Sequence, residues 1–198
     1  ESKYVDRVVV STEDDEIADI CKSYGAEVIK RPRELAEDDV PDLPVFQHVI
    51  KTIKEDEENI PEIVLNLRPT CPLRSVQDID KAISKLINTN CDSVRTIKTV
   101  KHHPYWMVKR KGDKIVSFLP DIDREKYYQR QLLPKAYTIN GGVDVMRSHN
   151  IFENNTLYGK DIRSVLMPAE RSVDIDTELD FYIAEQLMIK NEGNKNRR

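Results

Sequence analysis

The sequence predicts an α/β protein with a doubly wound, mostly parallel sheet. Three observations carry that prediction. β-Branched apolar runs alternate with segments of helical period, as in chains of β-α-β units. The run EIVLNLRP is apolar without alternation, the pattern of a strand buried on both faces. Helix starts carry Ser or Thr followed three residues later by Asp, a side-chain cap.

Taken in order, Val5 to Val10 reads as a strand and runs into Thr12, which with Asp15 predicts a capped helix. That helix carries Ile17, Ile20 and Cys21 inward and stops at Gly25, a residue suited to left-handed backbone. AEVIKRP is a short strand, followed by a polar loop and a helix with Val45, Val49, Ile50 and Ile53 on its apolar face. EIVLNLRP is expected to be the central strand. Ser75 and Asp78 open a helix with Ile79, Ala82, Ile83 and Leu86 on its core side, and CDSVRTIKTV is a further strand. The rhythm breaks at Lys101. From there to about Pro134 the chain shows a hairpin signal at KGDK, the aromatics Tyr105, Trp106, Tyr127 and Tyr128, and no helical period. YTINGGVDVMR, a short helix after Ser148, and IRSVLMP resume the pattern. Thr177 with Asp180 caps a last helix that carries Leu179, Ile183 and Leu187.

The 198 residues, 39% hydrophobic and 33% charged, suit one soluble domain spanning the chain. A net charge of −4 gives no basic footprint for nucleic acid, and the cationic tail NKNRR reads as a solvated end. No apolar segment is long enough for a membrane span. Three cysteines without a CxxC pair fit a reducing cytoplasm and no zinc site.

The residues with chemical potential lie in three stretches. In RSVDIDTELDF, a strand would put Asp174 and Asp176 on one face, where two like charges repel unless water screens them, one holds a proton, or a cation lies between. Glu178 and Asp180 already have a structural role in the helix start, which leaves the first two as a cation site or a solvated edge. Magnesium is the cation that such a pair suits, because it takes one or two carboxylates and completes its shell with water and phosphate. In LRPTCPLR, Pro69 and Pro72 stiffen a turn bracketed by Arg68 and Arg74, either an anion-binding loop or a rigid connection. In RQLLPKAYTINGG, Asn140-Gly141-Gly142 marks a close backbone approach or a plain turn, with Arg130 and Lys135 nearby. His102, His103 and Cys71 are given no chemical role.

Together and in this order, YVDRVVVSTEDDEIA, RPRELAEDD, LRPTCPLR, RQLLPKAYTINGG and SVDIDTELD resemble the acylneuraminate cytidylyltransferases, the CMP-sialic acid synthetases and their relatives for legionaminic-type sugars. The match covers nearly the whole chain. It implies a Rossmann-like nucleotidyltransferase fold and transfer of CMP from CTP to the anomeric hydroxyl of an acidic nine-carbon keto sugar, with release of pyrophosphate. It also implies Mg2+ at Asp174 and Asp176, Arg130 beside the acidic sugar, and Arg68, Pro69, Thr70, Gln131, Asn140, Gly141 and Asp144 along the nucleotide and sugar site. Residues 101–134 match a dimerisation arm, so the expected assembly is a homodimer, with no nucleic acid or membrane partner.

Three departures stand out. The family opens with a strand and a Gly-, Arg- and Lys-rich loop that cradles the triphosphate, and nothing before Glu1 supplies it. The expectation is a native N-terminal piece, and poor CTP binding by the chain as written. Arg68 and Cys71 stand where sialate enzymes carry Gln and Ser, and Asp144 stands where they carry Tyr, which favours a legionaminic-like sugar. The alternatives are another NTP or sugar on the same fold, or a non-catalytic binding remnant; the C-terminal position of the DxD pair argues against a glycosyltransferase.

Overall fold

The computed structural model describes residues 1–57 and 59–195, arranged in two compact units. The first comprises Glu1–Leu67, Arg74–Arg95 and Val143–Val165; the second comprises Arg68–Leu73, Thr96–Gly142 and the chain from Leu166. Residues 196–198 of the cationic tail lie outside the described residues.

The first unit opens on a β-α-β turn of chain. Strand β1 (Val9–Thr12) pairs in parallel with β2 (Glu27–Lys30), joined by helix α1 (Asp15–Ser23). The cap of α1 differs from the expected one. Asp14 takes the N-cap position and its carboxylate accepts from the Ile17 N–H at 2.9 Å, while the Thr12 hydroxyl accepts from the Asp14 N–H at 3.2 Å. The helix buries Ala18 and leaves Ile17 and Ile20 about half exposed, because the small side chain sits on the packed face. Gly25 ends the turn as expected, at φ +83°, its N–H on the Lys22 carbonyl. Helix α2 (Asp42–Glu57) buries Ile50 and Ile53.

EIVLNLRP contains β3 (Ile63–Asn66), yet this strand is not central. Helix α3 (Val76–Thr89), β4 (Ser93–Thr99), the long strand β7 (Tyr137–Arg147), helix α4 (Ser148–Phe152) and β8 (Ile162–Leu166) follow, and the four-stranded sheet has the order β3-β7-β4-β8. β3 lies at its edge and pairs antiparallel with β7. A non-alternating apolar run reports cover on both faces, not the number of hydrogen-bonded neighbours. The α3 cap is the reciprocal one expected: Ser75 accepts from the Asp78 N–H, and Asp78 accepts from Ser75. Ala82, Ile83 and Leu86 of α3 then pack with Cys91, Val94, Val143 and Val145 as the core of this unit.

Behind α4 the chain turns tightly at Gly159, at φ +67°, against Asp92. The Asp92 carboxylate accepts the N–H groups of Lys160 (2.7 Å) and Asp161 (2.8 Å), which hold its pKa below the usual range. Asp92 therefore contributes stability that is complete above the unfolded value near pH 4 and is lost as pH falls through the lower folded value. A Cβ on Gly159 would lie 2.5 Å from the Asp92 Cβ. Gly159→Ala is expected to cost about 2–4 kcal/mol, combining left-handed strain with overpacking. A denaturant midpoint shifted by less than about 1 kcal/mol in equivalent stability would show that the turn relaxes freely.

The second unit holds the excursion. β5 (Val108–Lys111) and β6 (Lys114–Ser117) form the expected hairpin, with Gly112 at φ +65° in the turn. The aromatics are used inside the arm: Trp106 Nε1 donates to the Tyr127 carbonyl at 2.7 Å, and Tyr105 packs edge-on against His103 and Tyr127. His103, buried, accepts from the Tyr105 N–H at Nδ1 and contacts the Pro134 carbonyl at Nε2, a structural role. Helix α5 (Glu178–Lys195) begins on the expected Thr177–Asp180 cap. It buries Ala184, whereas Leu179 and Ile183 are exposed; apolar residues lie all round this helix, so its pattern does not select one face.

Candidate active site

The acidic segment lies wholly in the second unit. Val173 to Asp176 forms no ladder among the described residues, so the strand expected to align the two aspartates is absent. Other bonds hold it. The Ile175 N–H donates to the Thr70 carbonyl at 2.8 Å, tying the segment to the LRPTCPLR loop. That loop is turned by the Cys71 N–H on the Arg68 carbonyl and anchored by buried Cys71 and Leu73, which leaves Pro69 and Thr70 exposed.

Gly141 meets both stretches. At φ +65° it adopts a backbone that favours glycine, and a Cβ there would lie 3.5 Å from Arg68 Cδ and 3.7 Å from Asp174 Oδ2. Arg68, Thr70, Gly141 and Asp174 are thus gathered in one place. The hydrogen of glycine lets a guanidinium stem and a carboxylate approach the same backbone.

Asp174 carries the chemically informative feature: its Oδ1 is buried with no hydrogen-bond partner. Buried carboxylate oxygens are normally satisfied, and one held bare suits a cation. Asp176 is exposed, open to water and ligand. Asp180 is committed elsewhere, because the Thr177 hydroxyl donates to it at 2.6 Å and holds its pKa down. Among the described residues no group of three or more His, Cys, Asp and Glu forms a metal cage. Two carboxylates with the remaining positions left to water and phosphate are the donor set of magnesium, which these residues fit.

Two expected contact residues have other employment. Asn140 is buried and its amide is fully engaged: Oδ1 accepts from Thr96 Oγ1 (2.7 Å) and the Gly142 N–H (3.2 Å), and Nδ2 donates to Ser172 Oγ (2.7 Å) and contacts Met167 Sδ (3.4 Å). It shapes the Gly141 bend from behind. Asp144, in the first unit, is 2% exposed and enclosed by its own chain. Oδ1 accepts from Arg95 Nε at 2.9 Å; Oδ2 accepts from Arg95 Nη2 and the Tyr158 hydroxyl, both at 3.1 Å. Arg95 also stacks 3.9 Å over the Tyr158 ring. Burial works against the Arg95 cation, but Asp144 outweighs it and raises the pKa; burial, followed by the charge of Asp144, pushes the Tyr158 phenol up to about 12. Asp144 is thus one half of an ion pair with part-buried Arg95.

Arg130 and Gln131 stand exposed on a short 3-10 turn of the arm, Arg130–Leu132, where Gln131 hydrogen-bonds Gln129. The sequence reading missed Ser172, Thr96, Met167 and Lys98, which back the acidic segment. Only Ser172 carried a local signal, two residues before Asp174.

The alternation of helices and strands makes this a mixed α/β protein, and the chain belongs to the cytidylyltransferase family, whose model matches residues 1–195. Among named relatives it is 32% identical over 189 residues to the CMP-N,N'-diacetyllegionaminic acid synthase of Campylobacter jejuni subsp. jejuni, covering 94% of this chain and 79% of that protein. The post-translational flagellin modification protein B of Campylobacter coli is 29% identical with the same coverage. The N-acylneuraminate cytidylyltransferase of Escherichia coli O18:K1:H7 is 26% identical over 98% of this chain and 45% of its own length. The fold matches that of a CMP:2-keto-3-deoxy-manno-octonic acid synthetase solved with CTP, with TM-score 0.65 at 13% identity, covering 96% of this chain and 84% of that one.

Proposed function

We propose that this protein transfers CMP from CTP to the anomeric hydroxyl of an acidic nine-carbon keto sugar of the legionaminic or sialic type, releasing pyrophosphate. The observation that carries the reading is the bare, buried Oδ1 of Asp174 beside Gly141 and Arg68, in a chain of the cytidylyltransferase family. Asp174 and Asp176 would hold Mg2+, which when bound neutralises charge on the departing pyrophosphate. The chain's own residues bind and orient. Arg68 offers a planar guanidinium for phosphate or carboxylate next to the carboxylate pair, and Pro69 stiffens the backbone that presents it. Arg130 and Gln131 present a cation and an amide for the acidic sugar. The sugar's own hydroxyl is the nucleophile, so no Ser, Cys or His nucleophile is required.

A homodimer through the arm completes the reading. Ile115 at 70% and Tyr128 at 69% exposure, with Val116, Phe118 and Leu132 also exposed, are apolar side chains of the arm that a second copy would cover. No described helix is long and apolar enough to cross a membrane, and a reducing cytoplasm is the compartment we propose.

The test is pyrophosphate release by protein expressed from its complete reading frame, with Mg2+, each of CTP, GTP, ATP and UTP, and a panel of acidic nine-carbon sugars. Release with CTP and one sugar is expected. Silence with every combination would leave a binding protein as the better account.

A further inference from the structure

Asp174 is ordered with an oxygen left bare, so something other than its own hydrogen bonds must hold it in place. Two backbone anchors flank it. On the C-terminal side stands the Ile175 N–H on the Thr70 carbonyl. On the other, Ser172 is fully buried and hydrogen-bonded at its N–H, its carbonyl and its hydroxyl. Its hydroxyl accepts from Asn140 Nδ2 at 2.7 Å and donates to the Pro168 carbonyl at 2.8 Å, and its carbonyl accepts from the ammonium of half-buried Lys98 at 2.8 Å. Lys98 and Asn140 come from β4 and β7, so two strands grip the peptide two residues before the carboxylate. Asn140 is itself pinned by Thr96 and the Gly142 N–H. The same amide that shapes the Gly141 bend therefore also sets the acidic segment.

Resting on the metal reading above, we propose that Ser172 and Lys98 are positioning residues for the cation site: they hold Asp174 where its bare oxygen meets the metal, without touching metal or substrate themselves. Groups that orient a ligand from behind set metal affinity by about 10–100-fold. For Lys98 two effects oppose each other. Its positive charge, near enough to Asp180 to lower that residue's pKa, would repel a metal cation; its hydrogen bond to the Ser172 carbonyl would favour one. The sign of its removal decides between them.

The experiment measures Mn2+ binding to the full chain through the electron paramagnetic resonance signal of free Mn2+, with CTP held constant and a protein-free Mn2+–CTP blank subtracted. Ser172→Ala and Lys98→Met are expected to weaken Mn2+ by about tenfold and to broaden the bound-ion signal, and Lys98→Arg, which keeps a donor, to recover most of the loss. Thermal melts identify any variant that fails to fold; Lys98→Met, on a side chain partly open to water, is the safer arm if Ser172→Ala does not. Unchanged or tighter Mn2+ binding in folded Lys98→Met would overturn the anchor role while leaving the metal site standing. Asp174→Asn distinguishes the other failure: Mn2+ bound as tightly as by the unaltered chain would remove the metal reading itself.

Discussion

Asp174→Asn is expected to lower CMP transfer more than about 100-fold, exceeding what loss of an indirect metal-orienting group costs. The same substitution should leave metal-free stability within about 1 kcal/mol of the parent or raise it. Its Oδ1 has no partner to lose, and replacing a buried charge by a neutral amide relieves desolvation. The two readouts thus move apart: Mg2+ should raise the melting temperature of the parent and not of the variant. Asp176→Asn, at an exposed position, should weaken Mg2+ less. Equal activity in Asp174→Asn and parent, measured as pyrophosphate release, would exclude Asp174 from the metal site.

The largest stability effect is expected at Asp144. Asp144→Ala leaves the Arg95 guanidinium buried without its carboxylate and the Tyr158 hydroxyl without its acceptor, a loss of about 3–5 kcal/mol. Replacing both ionic partners, as Arg95→Met with Asp144→Leu, should recover much of it, because apolar groups of similar volume carry no desolvation penalty. The check is the urea midpoint of the single and double variants. A loss below about 1 kcal/mol in Asp144→Ala would mean that water reaches Arg95 and screens it.

These cases separate two kinds of information. Features set by neighbours within a few residues were legible in the sequence: the caps at Ser75–Asp78 and Thr177–Asp180, the Gly25 stop, and the hairpin about Gly112. The cap of α1 shows the limit even there, since Thr12 and Asp14, two residues apart, both qualify and the carboxylate takes the Ile17 N–H. Asp174, Asp176 and the arginine-bracketed loop could be singled out from residue type alone, but the bare oxygen of Asp174 could not. The ion pair of Asp144 was not legible: an Asp looks available until its partners are known, and Arg95 lies 49 residues away.

By itself, then, the sequence determined the alternation of helices and strands, the arm, the carboxylate pair and the family, all of which are written in local pattern and residue chemistry. Tertiary structure alone decided that EIVLNLRP lies at a sheet edge, that Ile17 and Ile20 face solvent, that Asn140 spends its amide on Thr96, Gly142 and Ser172, and that Lys98 caps the Ser172 carbonyl from 74 residues away. The physical reason is the same throughout. A hydrogen-bonding group or apolar face declares what it needs, but only the folded chain brings the partner, and the oxygen left without one on Asp174 is visible only there.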